Sequence, residues 1–135
     1  MQQKPVLTLQ DTNAILDAAQ REAETNGWAI TVAVVDDGGH LLGLRRLDGC
    51  PPVSAYVASE KARTAALSRR ETHIIEEMIN NGRTAFVTAP VMQGMLTGGV
   101  PVLVNGQVAG AAGVSGVKPD QDAQVAKAGI QAISS

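Results

Sequence analysis

An α+β sandwich with a mainly antiparallel sheet is the fold class this 135-residue chain predicts, from three observations. Two pairs of aliphatic, β-branched runs are each interrupted by a tight turn sequence, which is the grammar of a hairpin. Segments with apolar residues at helical spacing stand before, between and after those pairs, in the order α-β-β-α-α-β-β-α. Neither a Walker loop nor a strand-turn-helix G-x-G-x-x-G is present, so a wound nucleotide-binding sheet is not predicted.

Thr8-Leu9-Gln10-Asp11 resembles a capping box with a shorter acid at its fourth position. Ile15, Leu16, Ala19 and Ala23 follow at helical spacing and Asn26-Gly27 supplies a stop, so a helix is predicted over 9–26. The continuous run Trp28–Val35 reads as a strand covered on both faces. Asp36-Asp37-Gly38-Gly39 turns the chain, and His40–Arg46 returns as its hairpin partner. Cys50-Pro51-Pro52 breaks the chain before a helix over 53–67, whose Ser54, Ala55, Ala58, Ser59, Ala62, Ala65 and Ala66 permit close approach to a neighbour. Ser68-Arg69-Arg70-Glu71 has a capping-box pattern ahead of Ile74, Ile75, Met78 and Ile79, and Asn81-Gly82 ends that helix. Signals between Thr84 and Gly99 are mixed and favour loop with a short helical turn. Val100–Val104 and Gln107–Val114 are strands joined by Asn105-Gly106, a strong two-residue hairpin signal. Pro119 at a first helical position, with Asp120 and Asp122 near the positive end of the dipole, predicts a last helix over 119–133.

The length argues for a single domain over residues 1–135. Phe86, Trp28 and Tyr56 are the only aromatics although 44% of residues are hydrophobic, so the core is aliphatic. A formal charge of −2 and scarce aromatic rings argue against nucleic acid as a partner. A charged fraction of only 18%, with 14 glycines and many alanines, predicts a homo-oligomer of at least four subunits. Cys50 stands alone, which excludes an internal disulfide and a cysteine-based zinc site. The first residues lack the apolar core of a signal peptide and no run approaches a membrane span, so a soluble cytoplasmic protein with no membrane partner is expected.

Few side chains are available for chemistry. No G-x-S-x-G elbow frames a serine, which argues against a serine hydrolase of the usual kind. His40 follows the glycine turn and is either a pocket ligand or acid/base group, or a hairpin histidine bonded to Asp36 or Asp37. His73, beside Glu76 and Glu77, reads as a surface residue. Lys61 and Arg63 interrupt a helix built for burial; a lysine there needs an anion, such as Asp36, Asp48 or a ligand carboxylate, or else forms a solvated stripe. Arg45 and Arg46 alternate across a strand, so only one faces the core side. Gly98-Gly99 either offers backbone N–H groups to an anion or simply permits a turn.

Six ordered motifs resemble the GlcG/HbpS-like family, which includes the C-terminal domain of PduO-type proteins. They are Val34-Val35-Asp36-x-Gly38-Gly39-His40-Leu41-Leu42, Arg46-x-Asp48-Gly49, Lys61-Ala62-x-Thr64-Ala65, Gly98-Gly99-Val100-Pro101-Val102, Gly110-Ala111-Ala112-Gly113-Val114-Ser115-Gly116 and Asp120-Gln121-Asp122. The resemblance implies a profilin-like sandwich with a five-stranded antiparallel sheet, the fifth strand lying in Thr84–Val91 or near Leu47, and assembly into homo-oligomers. It also implies binding of haem or a related small ligand in small-molecule catabolism. Haem-binding relatives use a histidine near the N-terminal helix, and residues 1–27 contain none. Haem iron would then fall to His40 as metal ligand, Cys50, Met92, Met95 or a neighbouring subunit, with Arg46, Lys61 and Arg63 for the propionates. The alternative is a metal-free isomerase- or hydrolase-type enzyme, or an accessory protein, acting on a small carboxylate or hydroxy acid. In it Arg46 and Lys61 hold the carboxylate and His40 or Asp36 moves a proton. A structural oligomer without a ligand is the third reading. For either ligand-binding reading, one pocket bounded by Asp36–His40, Lys61 and Gly98-Gly99 is expected.

Overall fold

Asn105 and Gly106 both take positive φ, 51° and 76°, the backbone a two-residue hairpin needs to match the twist of its strands. In the computed structural model, which describes residues 1–133, they join β3 (Gly99–Val104) to β4 (Gln107–Ser115). The first hairpin pairs β1 (Thr31–Asp36) with β2 (Leu41–Arg46) through a turn in which Asp36 accepts from its own loop. β1 and β4 then pair antiparallel, giving one sheet in the order β2-β1-β4-β3.

Alternation along the central strands decides what covers each face. Val32, Val34, Ala112 and Val114 point to the side packed by α1 (Leu9–Thr25) and α4 (Pro119–Ile130), around Ile15, Ala19 and Val125. Ala33, Val35 and Ala111 point to the other side, where α2 (Val53–Ser68) lays down Ala58, Ala62, Ala65 and Ala66. With α3 (Thr72–Asn80) following α2, the molecule is a three-layer sandwich. The capping box of α1 forms, Thr8 Oγ1 accepting from Asp11 N and Asp11 Oδ2 from Thr8 N. No described helix is long and apolar enough to cross a membrane.

Two expectations are corrected. The sheet has four strands among the described residues, not five. Thr84–Thr88 is a 3-10 turn, and beyond the end of β2 Leu47 only donates to the Ile30 carbonyl and accepts the Cys50 N–H of a turn. Ser68 does not cap α3: it is the last residue of α2, its hydroxyl bonded back to the carbonyl of Thr64 (2.6 Å). Arg69 then closes α2 in the left-handed conformation (φ 58°), and α3 starts after an extended Glu71.

Candidate functional site

The small-residue helix α2 is buried inside its own chain because glycines let its backbone touch other backbones. A Cβ on Gly113 would lie 2.2 Å from the Ala58 carbonyl oxygen, one on Gly99 2.4 Å from that of Lys61, and one on Gly94 2.1 Å from the Glu60 carbonyl carbon. Distances that short leave room only for hydrogen. α2 is thereby clamped between β3, β4 and the segment carrying Gly94.

That clamp settles what surrounds Lys61, which is 3% exposed. Its Nζ donates to the Val114 carbonyl (2.9 Å) and to Asp122 Oδ2 (3.0 Å), so its anion is neither Asp36 nor Asp48 but an acid 61 residues downstream. Asp122 Oδ1 also accepts the Val117 N–H (3.1 Å), tying α4 to the end of β4. Burial pushes the Asp122 carboxyl above its ordinary value, although the Lys61 ammonium and the Val117 N–H pull the other way. Gly98 and Gly99 sit against Lys61. The Gly99 N–H, however, is taken by Thr72 Oγ1 (2.8 Å).

His40 lies elsewhere. Its ring is 80% exposed and its Nδ1 stands 3.1 Å from Asp36 Oδ1 and 3.2 Å from Oδ2. Asp36 Oδ1 also accepts the N–H groups of Gly38 and His40, both at 2.9 Å. Burial alone would raise the Asp36 carboxyl; the hydrogen bonds from His40 and Gly38 outweigh it and hold the group below its ordinary value. An acid with a depressed folded value stabilises above its unfolded value and loses that contribution as pH falls through the folded one. Asp36→Asn is therefore expected to cost about 1 kcal/mol at neutral pH. Urea titrations should show the gap to the native chain closing below about pH 4; a gap that stays constant into acid would contradict the assignment.

Asp36 pairs with Gly110 on β4, four residues from Val114, so the His40 turn and the Lys61 ammonium are about 13 Å apart along that strand. Arg46 is at the far end of β2 from His40, about 20 Å along the strand. There it donates from Nε to the Cys50 carbonyl (3.1 Å) and lines an open cleft with Trp28, Glu24 and Asp48. Arg45, on the opposite face, pairs with Asp17 (2.6 Å) across α1. The structure thus joins Lys61 with Gly98-Gly99 and His40 with Asp36, and leaves Arg46 apart from both.

An apolar cleft of about 670 Å³ opens between α3 and the segment Thr84–Leu96, within the usual range for small-molecule sites. α3 contributes Glu76 and Ile79, and the facing segment contributes Val87, Val91, Met92 and Met95. Val87, Val91 and Leu96 are 60%, 61% and 52% exposed, a concentration of large apolar groups facing solvent. Glu76, the acid in its lining, has its carboxylate fixed by the N–H (3.1 Å) and hydroxyl of Thr97. One wall is strained. Val91 has φ +70° and the Met92 N–H reaches back to the Pro90 carbonyl (2.8 Å), a γ-turn of the rare positive-φ kind. For a β-branched residue that backbone costs about 1–3 kcal/mol. The sequence reading singled out the two methionines but not the cleft.

The comparisons with known proteins converge. The model of a family described as "Haem degrading protein HbpS-like" matches residues 7–131. Protein GlcG of Escherichia coli K12 is 59% identical over 115 residues, 85% of each chain. A crystal structure of a double mutant of HbpS from Streptomyces reticuli superposes with a TM-score of 0.90 at 32% identity, covering 100% of this chain and 92% of that one. A crystal structure of the PduOC:haem complex superposes with a TM-score of 0.83 at 26% identity, covering 96% of both chains.

Proposed function

The chain belongs to the HbpS-like family, and on that premise we propose that it is a cytoplasmic, homo-oligomeric protein of profilin-like fold that binds haem or a related flat ligand in the service of a catabolic route. The observation that carries the reading is the apolar cleft between α3 and Thr84–Leu96, with two thioethers in its wall. Its volume and lining suit the apolar body of a tetrapyrrole, and methionine sulfur is an established axial donor to haem iron. When bound, haem supplies a redox-active iron. The chain would supply the apolar side of the cleft and, from its lining, the thioethers of Met92 and Met95 as donors to the iron. The similar PduOC:haem complex supports haem as the ligand class for a domain of this shape.

His40, which does not line the cleft, is the competing donor. Asp36 fixes its Nδ1, which leaves Nε2 directed outward for a metal or a proton. That observation also favours the alternative reading, a metal-free enzyme in which Asp36 orients His40 and Arg46 or Lys61 with Gly98-Gly99 holds a small carboxylate. The separations along β2 and β4 weigh against those groups acting on one small substrate, and Lys61 already has its carboxylate in Asp122.

Titrating hemin into the protein, with the particle mass followed by light scattering, tests the proposal. A Soret band that saturates at one hemin per chain, survives His40→Ala and weakens at least ~10-fold when Met92 and Met95 are both alanine is expected, a loss worth about 1.4 kcal/mol. An unchanged hemin spectrum would overturn haem as the ligand, and a band lost in His40→Ala would move the iron to the Asp36–His40 turn. The mass should correspond to four or more 14.0 kDa chains; a monomer would refute the oligomer.

A further inference from the structure

We propose that Val91 is a positioning residue whose strained γ-turn holds the cleft open and shaped for its ligand, a role that rests on the ligand-binding reading of that cleft. Three observations lead there. Valine is among the residues least suited to a φ of +70°, and glycine or asparagine would adopt that backbone at lower cost. Val91 is 61% exposed, so core packing does not account for its presence. And the turn lies in the wall of the apolar cleft, between Pro90 and Met92, which line it as well.

The strain persists because both flanks of the turn are tied down. Upstream, the Ala89 N–H bonds to the Phe86 carbonyl (2.9 Å) and closes the 3-10 turn. Downstream, the Gly94 N–H donates to Thr64 Oγ1 (3.0 Å), with Gly94 pressed against the α2 backbone. Further on, the Thr97 N–H bonds to Glu76 on α3 (3.1 Å). Between those anchors the chain must reverse tightly, and the γ-turn is how it does so. The reversal places Val91 and Met92 on the cleft wall before any ligand arrives. Preorganisation of this kind trades stability of the free protein for affinity, because less ordering remains to be done on binding. The occupant it fits is a flat, apolar molecule of the haem class, laid against Ile79, Val87 and the two thioethers.

Val91→Gly and Val91→Asn test this, with Val91→Ile as the conservative control. Thermal melts should show at least one of the first two variants more stable than the native protein by about 3–5 °C. Hemin titrations should show both binding at least ~10-fold more weakly, while Val91→Ile retains native affinity. A naphthalene-sulfonate dye whose fluorescence rises in apolar clefts serves as a second probe, so that the choice of haem and the role of Val91 can fail separately. If hemin does not bind the native chain but the dye does, and more weakly in Val91→Gly, haem is the wrong occupant and the positioning role stands. If both probes bind native and variant chains equally, the positioning role is overturned and the ligand reading survives. Melting at or below the native temperature in both relaxed variants overturns it too, since no strain was then held. Failure of both probes on the native chain overturns the two together.

Discussion

Replacing Lys61 with alanine is expected to lower stability by about 3–5 kcal/mol, a large share of the total for a domain of this size. The reason is the carboxylate left behind. Asp122 is 4% exposed at its side chain, and Lys61 is its one ion-pair partner among the described residues. With the ammonium removed, burial acts on Asp122 unopposed by a nearby charge and its folded value rises further. A raised acid contributes stability at low pH and loses it as pH climbs through the folded value. The deficit of Lys61→Ala should therefore be smaller near pH 5 than near pH 8. A double variant, Lys61→Met with Asp122→Leu, should recover most of the loss, because no buried charge remains. Denaturant curves decide it: a Lys61→Ala protein within about 1 kcal/mol of native at pH 8 would mean the pair is solvated rather than buried.

Gly94→Ala should act on the fold and the cleft together. The added methyl would lie 2.1 Å from the Glu60 carbonyl carbon and 2.3 Å from the Lys61 nitrogen, both main-chain atoms inside α2 that have no rotamer to retreat into. Overpacking against backbone belongs at the upper end of its usual cost, about 3 kcal/mol. The segment can escape only by lifting off α2, which breaks the Gly94–Thr64 hydrogen bond and frees the loop that carries Met92 and Met95. Hemin affinity should fall along with the melting temperature. A variant that melts and binds like the native protein would show that the close approach does not exist.

Features encoded over short stretches were legible in the sequence. The Thr8 box, the Asn105-Gly106 turn and the Asp36–Gly39 turn are local chemistry, and each formed where the sequence placed it. Ser68 looked like another box, but its hydroxyl found the Thr64 carbonyl one helical turn back, a choice that local sequence leaves open. The partner of Lys61 was hidden because Asp122 lies on a different helix, brought near only by the packing of α2 and α4 on β4. Asp122 itself was visible, as a residue suited to a helix start. The cleft was not legible, since α3 and the Met92 segment meet through Gly94 and Thr97, contacts that have no sequence period. Least legible was the γ-turn, because a valine gives no signal for positive φ. The signal it does give, a β-branched residue, points toward strand, in one of the two stretches where the resemblance left room for a fifth one.

Methyl-labelled methionine offers the most direct test of where the ligand sits. The chain has four methionines, Met1, Met78, Met92 and Met95, so a carbon–proton correlation spectrum carries four methyl signals that single substitutions assign. Ferric haem is paramagnetic and broadens the resonances nearest to it. On adding hemin, the Met92 and Met95 signals should broaden first while that of Met1 stays sharp. If those two methyls remain sharp while the Soret band saturates, the haem is bound elsewhere, and the cleft between α3 and Thr84–Leu96 is not the site.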